Sequence, residues 1–244
     1  MTKKSVIILG MFFILLGTRQ VLAENEAALP EKTADKKQIN MKAVVIKKID
    51  LPRGYHEGIL LYDDRILVCN GRGLGTYIID PLDESVTGEI EPFGTFTESL
   101  APAGDDMFWL TDWEEKKIYK VKIEGNKISS YSEMSLAPSH PAGVIRLGEK
   151  LYVITWTRSL TGTEYHLVQL NNNGEVLQKR HLRGISEPAH IAWDGEHFWI
   201  TSWYNQKVFE LDINTFEIKR QFKSPAKKTT GIAWDGKHFW ITGT

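Results

Sequence analysis

Residues 191–201 read IAWDGEHFWIT and residues 232–242 read IAWDGKHFWIT. Ten of the eleven positions are identical at an offset of 41 residues, a match that chance does not produce. Self-similarity with a period in the forties belongs to chains that stack one supersecondary unit many times, because a single unit cannot bury its own apolar face. With this template in hand, weaker copies emerge at Ile59–Gly71 (ILLYDDRILVCNG), Leu100–Trp113 (LAPAGDDMFWLTDW) and Val144–Trp156 (VIRLGEKLYVITW). Five copies result, starting near residues 58, 99, 143, 190 and 231.

Each copy reads as a hairpin: a short apolar run, a tight turn, then an aromatic and β-branched strand. Asp194-Gly195 and Asp235-Gly236 are expected as two-residue turns, since Asp-Gly tolerates the positive φ such turns require. Two alternating segments follow in most copies, such as Lys207–Asp212 with Phe216–Phe222, and Lys117–Ile123 with Lys127–Met134. Four strands per copy, set radially, predict an all-β chain: a β-propeller of about five four-stranded blades. A β-sandwich offers no reason for a near-identical repeat. Trp109, Tyr152, Trp199 and Trp240 share one position on the second strand and are expected to pack between neighbouring blades. The fifth copy reaches Thr244 directly after its second strand. Met41–Leu51 (MKAVVIKKIDL) resembles an outer strand and is expected to close or complete the last blade. That leaves either a three-stranded last blade or a chain that continues past Thr244.

The first residues follow different rules. Lys3 and Lys4 precede an apolar run from Val6 to Gly17, and Val21-Leu22-Ala23 sets small residues where a signal peptidase reads. Arg19 interrupts the run before the roughly 20 apolar residues a membrane span needs. Residues 1–23 are therefore expected as a leader cleaved after Ala23, 24–40 as a flexible polar linker, and 41–244 as the propeller domain. The expected location is periplasmic or secreted, with no membrane attachment after cleavage. Thirty Lys and Arg against 31 Asp and Glu give a formal net charge of −1, with no basic block of the kind nucleic acid demands. The single cysteine, Cys69, has no partner for an internal disulfide.

Propeller geometry selects the residues that share an opening. The start of the innermost strand and the end of the second lie on one edge, so residues at both places ring the channel mouth. Before the first strand stand His56 and Glu57, Glu98, His140, then Glu187 and His190. After the second strand stand Arg72, Trp113, Trp156 and Arg158, and Trp203. Aromatic walls with a few convergent polar groups describe a binding site for a small molecule or a peptide. Trp113, Trp156, Trp203, Arg72, Arg158, His140 and His190 are the candidate ligand-binding residues. Gly71-Arg72-Gly73-Leu74-Gly75 lies between two strands, outside the strand-to-helix setting of a phosphate loop, and is expected as a flexible connection.

The repeats resemble those of bacterial propellers of the NHL and virginiamycin-lyase-like group. A narrower resemblance is to the plant- and bacterial-type glutamine cyclotransferases, which are five-bladed propellers. Tyr55-His56-Glu57-Gly58-Ile59, a Gly-rich turn and Asp80 resemble that family's first blade, which carries Gln at the Glu57 position. Phe96-Thr97-Glu98 with Leu110-Thr111-Asp112-Trp113 resembles the second. The resemblance implies Glu98 as the acid/base and Trp113 as part of a substrate cage; Glu57, also placed before a first strand, is a second catalytic candidate. The chain also departs from it: Ala189-His190-Ile191-Ala192 stands where the family has Asn-Glu-Leu-Glu, and Ser99 replaces a glycine.

Three functions fit these residues. The first is an exported binding or interaction module with its ligand at the channel mouth. The second is a cyclotransferase converting N-terminal glutamine to pyroglutamate with release of ammonia. The third is a metal-assisted lyase or hydrolase in which rim His and Glu hold a divalent cation, whose identity spacing alone does not choose. Oligomeric state is not encoded in any pattern found.

Overall fold

The protein's structure, a computed structural model, describes residues 5–12 and 39–243, which are strand, turn or loop without a helix. Strands β1 (Ser5–Phe12) and β2 (Ile39–Asp50) precede the repeats. The first repeat supplies β3 (His56–Tyr62), β4 (Arg65–Asn70), β5 (Thr76–Asp80) and β6 (Ser85–Ile90). The second supplies β7 (Thr97–Gly104), β8 (Met107–Asp112), β9 (Lys117–Glu124) and β10 (Lys127–Ser135). In the third are β11 (His140–Leu147), β12 (Lys150–Ser159), β13 (Gly162–Asn171) and β14 (Val176–His181). The fourth holds β15 (Pro188–Trp193), β16 (Phe198–Ser202), β17 (Lys207–Leu211) and β18 (Ile218–Lys223), and the fifth β19 (Thr229–Trp234) and β20 (Phe239–Gly243).

The first three repeats each form a four-stranded antiparallel sheet with neighbours in chain order. The fourth and fifth share one eight-stranded sheet, ordered β15-β16-β17-β18-β2-β1-β20-β19. The innermost strands lie side by side in sequence, β3 by β7, β7 by β11, β11 by β15 and β15 by β19. Contact between β19 and β3 closes the ring. Each sheet thus radiates from a central channel, as the blades of a propeller do.

Closure uses more of the N-terminal chain than the sequence suggests. One completing strand is expected from Met41–Leu51, and two are found. Ser5–Phe12 pairs antiparallel with β20 on one side and β2 on the other. Its side chains alternate between two cores: Val6 and Ile8 join Ile59, Ile66 and Trp240, while Ile7 and Leu9 join Trp199 and Phe239. A leader's apolar core and a strand buried on both faces demand the same composition, and this segment meets both demands. The expected cleavage point and most of the expected linker fall in residues 13–38, outside the described residues.

The near-identical repeat has a physical basis. Asp194 Oδ1 accepts the backbone N–H groups of Glu196 (2.8 Å) and His197 (2.7 Å), and its Oδ2 accepts Trp199 Nε1–H (2.6 Å). Asp235 does the same for Lys237 and His238, and for Trp240 Nε1–H at 2.8 Å. One carboxylate therefore shapes the loop and fixes the indole of the following strand. Trp193 pairs with Phe198, so four residues intervene, and the expected two-residue Asp-Gly turn is not formed. A carboxylate that caps two backbone N–H groups needs the longer loop. The two-residue loops with left-handed φ at both positions are Asp63-Asp64 (49° and 56°) and Asp105-Asp106 (53° and 57°). Trp199 stacks obliquely on Phe239 and Tyr152 on Phe198, each across a repeat boundary as expected. The threonine that ends the signature also reaches across: Thr111 Oγ1 donates to the Ala142 carbonyl (2.8 Å), and Thr242 Oγ1 to the Glu57 carbonyl (2.7 Å).

Replacing Asp194 with Ala leaves the Trp199 indole N–H and two loop N–H groups without their acceptor. A loss of about 1–3 kcal/mol is expected for the first alone. Urea unfolding followed by tryptophan fluorescence should show a lower midpoint with an unchanged slope.

Candidate functional site

All five innermost strands carry one more residue than their partner at the same place. Register shifts fall at His56/Ile59, Thr97/Ser99, Pro141/Val144, Pro188/Ile191 and Thr229/Gly231. A β-bulge re-aims the side chain it displaces and frequently adjoins a site. Here it defines two rings of equivalent positions. Glu57, Glu98, Ala142, Ala189 and Thr230 form the first, and Gly58, Ser99, Gly143, His190 and Gly231 the second.

The first ring is the floor of a cavity of about 830 Å³ at the channel mouth, bordered by Glu57, Glu98, Ala142 and Ala189. Two neighbouring members are carboxyls, and both are nearly inaccessible, Glu57 6 % exposed and Glu98 7 %. Burial holds the Glu98 carboxyl well above its ordinary range, and the nearby Glu57 and Asp112 charges push the same way. Asp112, at the end of β8, is occupied differently. Its Oδ2 accepts the N–H groups of Thr95 (2.7 Å) and Phe96 (2.9 Å), and its Oδ1 that of Glu115 (2.9 Å). It pins the segment that leads into Glu98.

The second ring plugs the channel beneath that floor. His190, expected as a ligand-binding residue at the rim, is instead 2 % exposed, with its ring across the axis. Its Nδ1–H donates to the Ile232 carbonyl (3.0 Å), so Nε2 accepts the Ser99 hydroxyl (2.8 Å), whose oxygen accepts Val144 N–H (3.3 Å). Four repeats are joined by this one chain of hydrogen bonds. Burial presses the imidazole pKa down to about 4, with the bond to Ile232 opposing, so the ring is neutral at ordinary pH. Two glycines of this second ring make room: a Cβ on Gly58 would stand 2.8 Å from His190 Nε2, and one on Gly143 2.6 Å from His190 Cα. Two departures from the cyclotransferase pattern, Ser99 and His190, meet in this bond.

Aromatic residues make the walls. Trp113, Trp156 and Trp203 all border the cavity, as do Arg72 and Arg158. Trp113 and Trp156 meet edge to face at 5.1 Å, and Trp156 Nε1–H donates to the Pro188 carbonyl at 2.7 Å. His140 does not line the cavity. Its ring stacks on Trp113 at 4.8 Å and its Nδ1–H donates to the Trp113 carbonyl at 2.9 Å, so it buttresses the wall from behind. The expected flexible connection after β4 is tied down, Gly71 N–H to the Tyr55 carbonyl (2.9 Å) and Gly73 N–H to that of Thr95 (3.1 Å). This places the Arg72 guanidinium 4.5 Å above the Tyr55 ring.

Sequence reasoning passed over Tyr55 and Phe96, which also line the cavity and meet edge to face at 5.7 Å. A signal was present: each stands two residues before a floor carboxyl, Tyr55 before Glu57 and Phe96 before Glu98. Among the described residues no group of three His, Cys, Asp or Glu is placed to hold a metal ion. Of the rim histidines, His140 is turned to Trp113 and His190 to Ser99.

No family model matches the chain, and no curated protein matches it. Its fold is similar to solved propellers. Myxococcus xanthus glutaminyl cyclase matches with a TM-score of 0.64 at 14 % identity, over 84 % of this chain and 97 % of that one. A streptogramin B lyase matches with a TM-score of 0.50 at 15 % identity, over 78 % and 77 %. Staphylococcus aureus virginiamycin B lyase gives 0.48 at 17 % identity, over 82 % and 70 %. What the chain shares with them is the β-propeller fold.

Proposed function

We propose that this chain is a five-bladed propeller that cyclises N-terminal glutamine, releasing ammonia. The observation that carries the reading is a buried, proton-retaining Glu98 beside Glu57 on the floor of a tryptophan-walled cavity. Two close buried carboxyls resist double ionisation, so at neutral pH one keeps a proton while the other can accept one. Cyclisation needs both forms. The α-amine nitrogen attacks the side-chain amide carbon, closing a five-membered ring, and gives a proton to the ionised carboxyl. The bond from that carbon to the amide nitrogen then breaks, and the departing nitrogen takes the proton from the neutral carboxyl and leaves as ammonia. The pair ends with its roles exchanged and its proton count unchanged. The tryptophan walls supply the apolar surroundings that keep the pair from being hydrated. Support also comes from the likeness of Phe96-Thr97-Glu98 and Leu110–Trp113 to the cyclotransferase pattern, and from the fold shared with a glutaminyl cyclase.

Incubation with a Gln-initiated peptide should release ammonia, and Glu98→Gln should reduce kcat by about 10²–10⁴-fold, the worth of a positioned acid/base. Absence of ammonia release from the wild-type domain overturns the reading. Saturable quenching of tryptophan fluorescence by the same peptide would then favour the binding-module alternative.

A stability measurement tests the carboxyl independently. Folded Glu98 is held above its ordinary value of 4.5, so above that pH the unfolded chain binds fewer protons than the folded one. Its contribution is complete below pH 4.5 and lost as pH rises through the folded pKa. Urea midpoints of Glu98→Gln should therefore rise relative to wild type as pH increases from acid to neutral. A constant difference across that window would show that Glu98 is not held protonated.

A further inference from the structure

Three cations from three repeats stand over aromatic rings at the mouth. Arg72 lies 4.5 Å from the centre of the Tyr55 ring, Arg158 5.8 Å from Trp113, and Lys228 4.7 Å from Trp203. All three are exposed, and among the described ion pairs none has a carboxylate partner. Tyr55, Trp113 and Trp203 all border the cavity, so each cation is held at its edge by a wall residue. Stacking on a ring fixes a long side chain in place while leaving its N–H groups turned outward. Two carboxylates oppose this charge: Glu114, on the cavity edge, and Glu187, which faces Tyr165 together with Arg158. Glu57 and Glu98 lie deeper, on the floor, where burial disfavours the charged form of Glu98. The mouth is thus a cationic ring on a chain whose formal net charge is −1.

We infer that the site prefers peptides with acidic residues just after the N-terminal glutamine. The inference rests on the cyclisation reading, which fixes the direction of the bound chain. The reacting amine must reach Glu57 and Glu98 at the floor, so the residues that follow leave through the mouth, advancing about 3.3 Å each. Carboxylates at positions two to four pass Arg72, Arg158 and Lys228. Pre-positioned guanidinium groups favour a carboxylate geometrically as well as by charge.

The test compares peptides Gln-Glu-Glu-Ala, Gln-Ala-Ala-Ala and Gln-Lys-Lys-Ala for ammonia release, and separately for binding to the Glu98→Gln protein by tryptophan fluorescence. At low salt the acidic peptide should exceed the basic one by about tenfold in kcat/KM and in affinity, and the gap should shrink as ionic strength rises. In the Arg72→Ala, Arg158→Ala, Lys228→Ala triple variant the ratio should fall towards one. Each single variant is measured too, so that misfolding of the triple variant leaves the comparison intact. Equal turnover and equal binding of all three peptides overturn the preference while leaving cyclisation standing. No turnover, with tight salt-sensitive binding of the acidic peptide alone, supports the acid-selective mouth and rejects cyclisation.

Discussion

The hydrogen bond from Ser99 to His190 sets the geometry on which the site depends. The innermost strands crowd a narrow axis, and the ring of equivalent positions admits side chains at only two of its places. Gly58 and Gly143 yield space beside His190, and Gly231 lets its strand approach Thr242 and the Glu57 carbonyl. Because Ser99 follows Glu98 directly, the bond that spans the channel also holds the strand that presents the floor carboxyl. Glu57 is held from the other side, through its carbonyl bond with Thr242. Two carboxyls that might otherwise separate are kept adjacent by contacts that neither of them makes with its own side chain.

Asp112 and Glu98 show how surroundings divide the labour of like groups. Both are buried in the same part of the second repeat. Three backbone N–H groups satisfy Asp112, whereas Glu98 stands in an apolar pocket with two acidic neighbours. The first serves as a local anchor; burial and acidic neighbours favour the protonated form of the second, which can take part in chemistry. Trp113 belongs to both tasks, following Asp112 in the chain and walling the cavity above Glu98.

Much of this was legible in the sequence, and the reasons are specific. The 41-residue repeat revealed the architecture because the fourth and fifth copies both use an Asp to shape a loop and hold an indole. The carboxyls, tryptophans and arginines of the mouth could be assembled because propeller topology converts a position within a repeat into a position on the rim. His190 was misplaced because a β-bulge separates it from the residues that face the cavity, and an irregularity of one residue leaves no mark in periodicity. His140 was misread for another reason: its stacking partner, Trp113, lies in a different repeat. The strand at Ser5–Phe12 was hidden by composition, since an unbroken apolar run carries no alternation to betray two buried faces.

The joining of the fourth and fifth repeats also bears on how the ring opens. β18 pairs in parallel with β2 over Arg220–Phe222, so backbone hydrogen bonds run without interruption from β15 to β19. At the other boundaries no strand pairs with a strand of the next sheet, and the sheets meet through side chains, threonine bonds and isolated loop bonds such as Gly73 N–H to the Thr95 carbonyl. Amide protons of these two repeats should consequently exchange as one cooperative block, later than those of the independent sheets. The ring then has a hinge-free half and a segmented half, and slow breathing of the channel belongs to the segmented one.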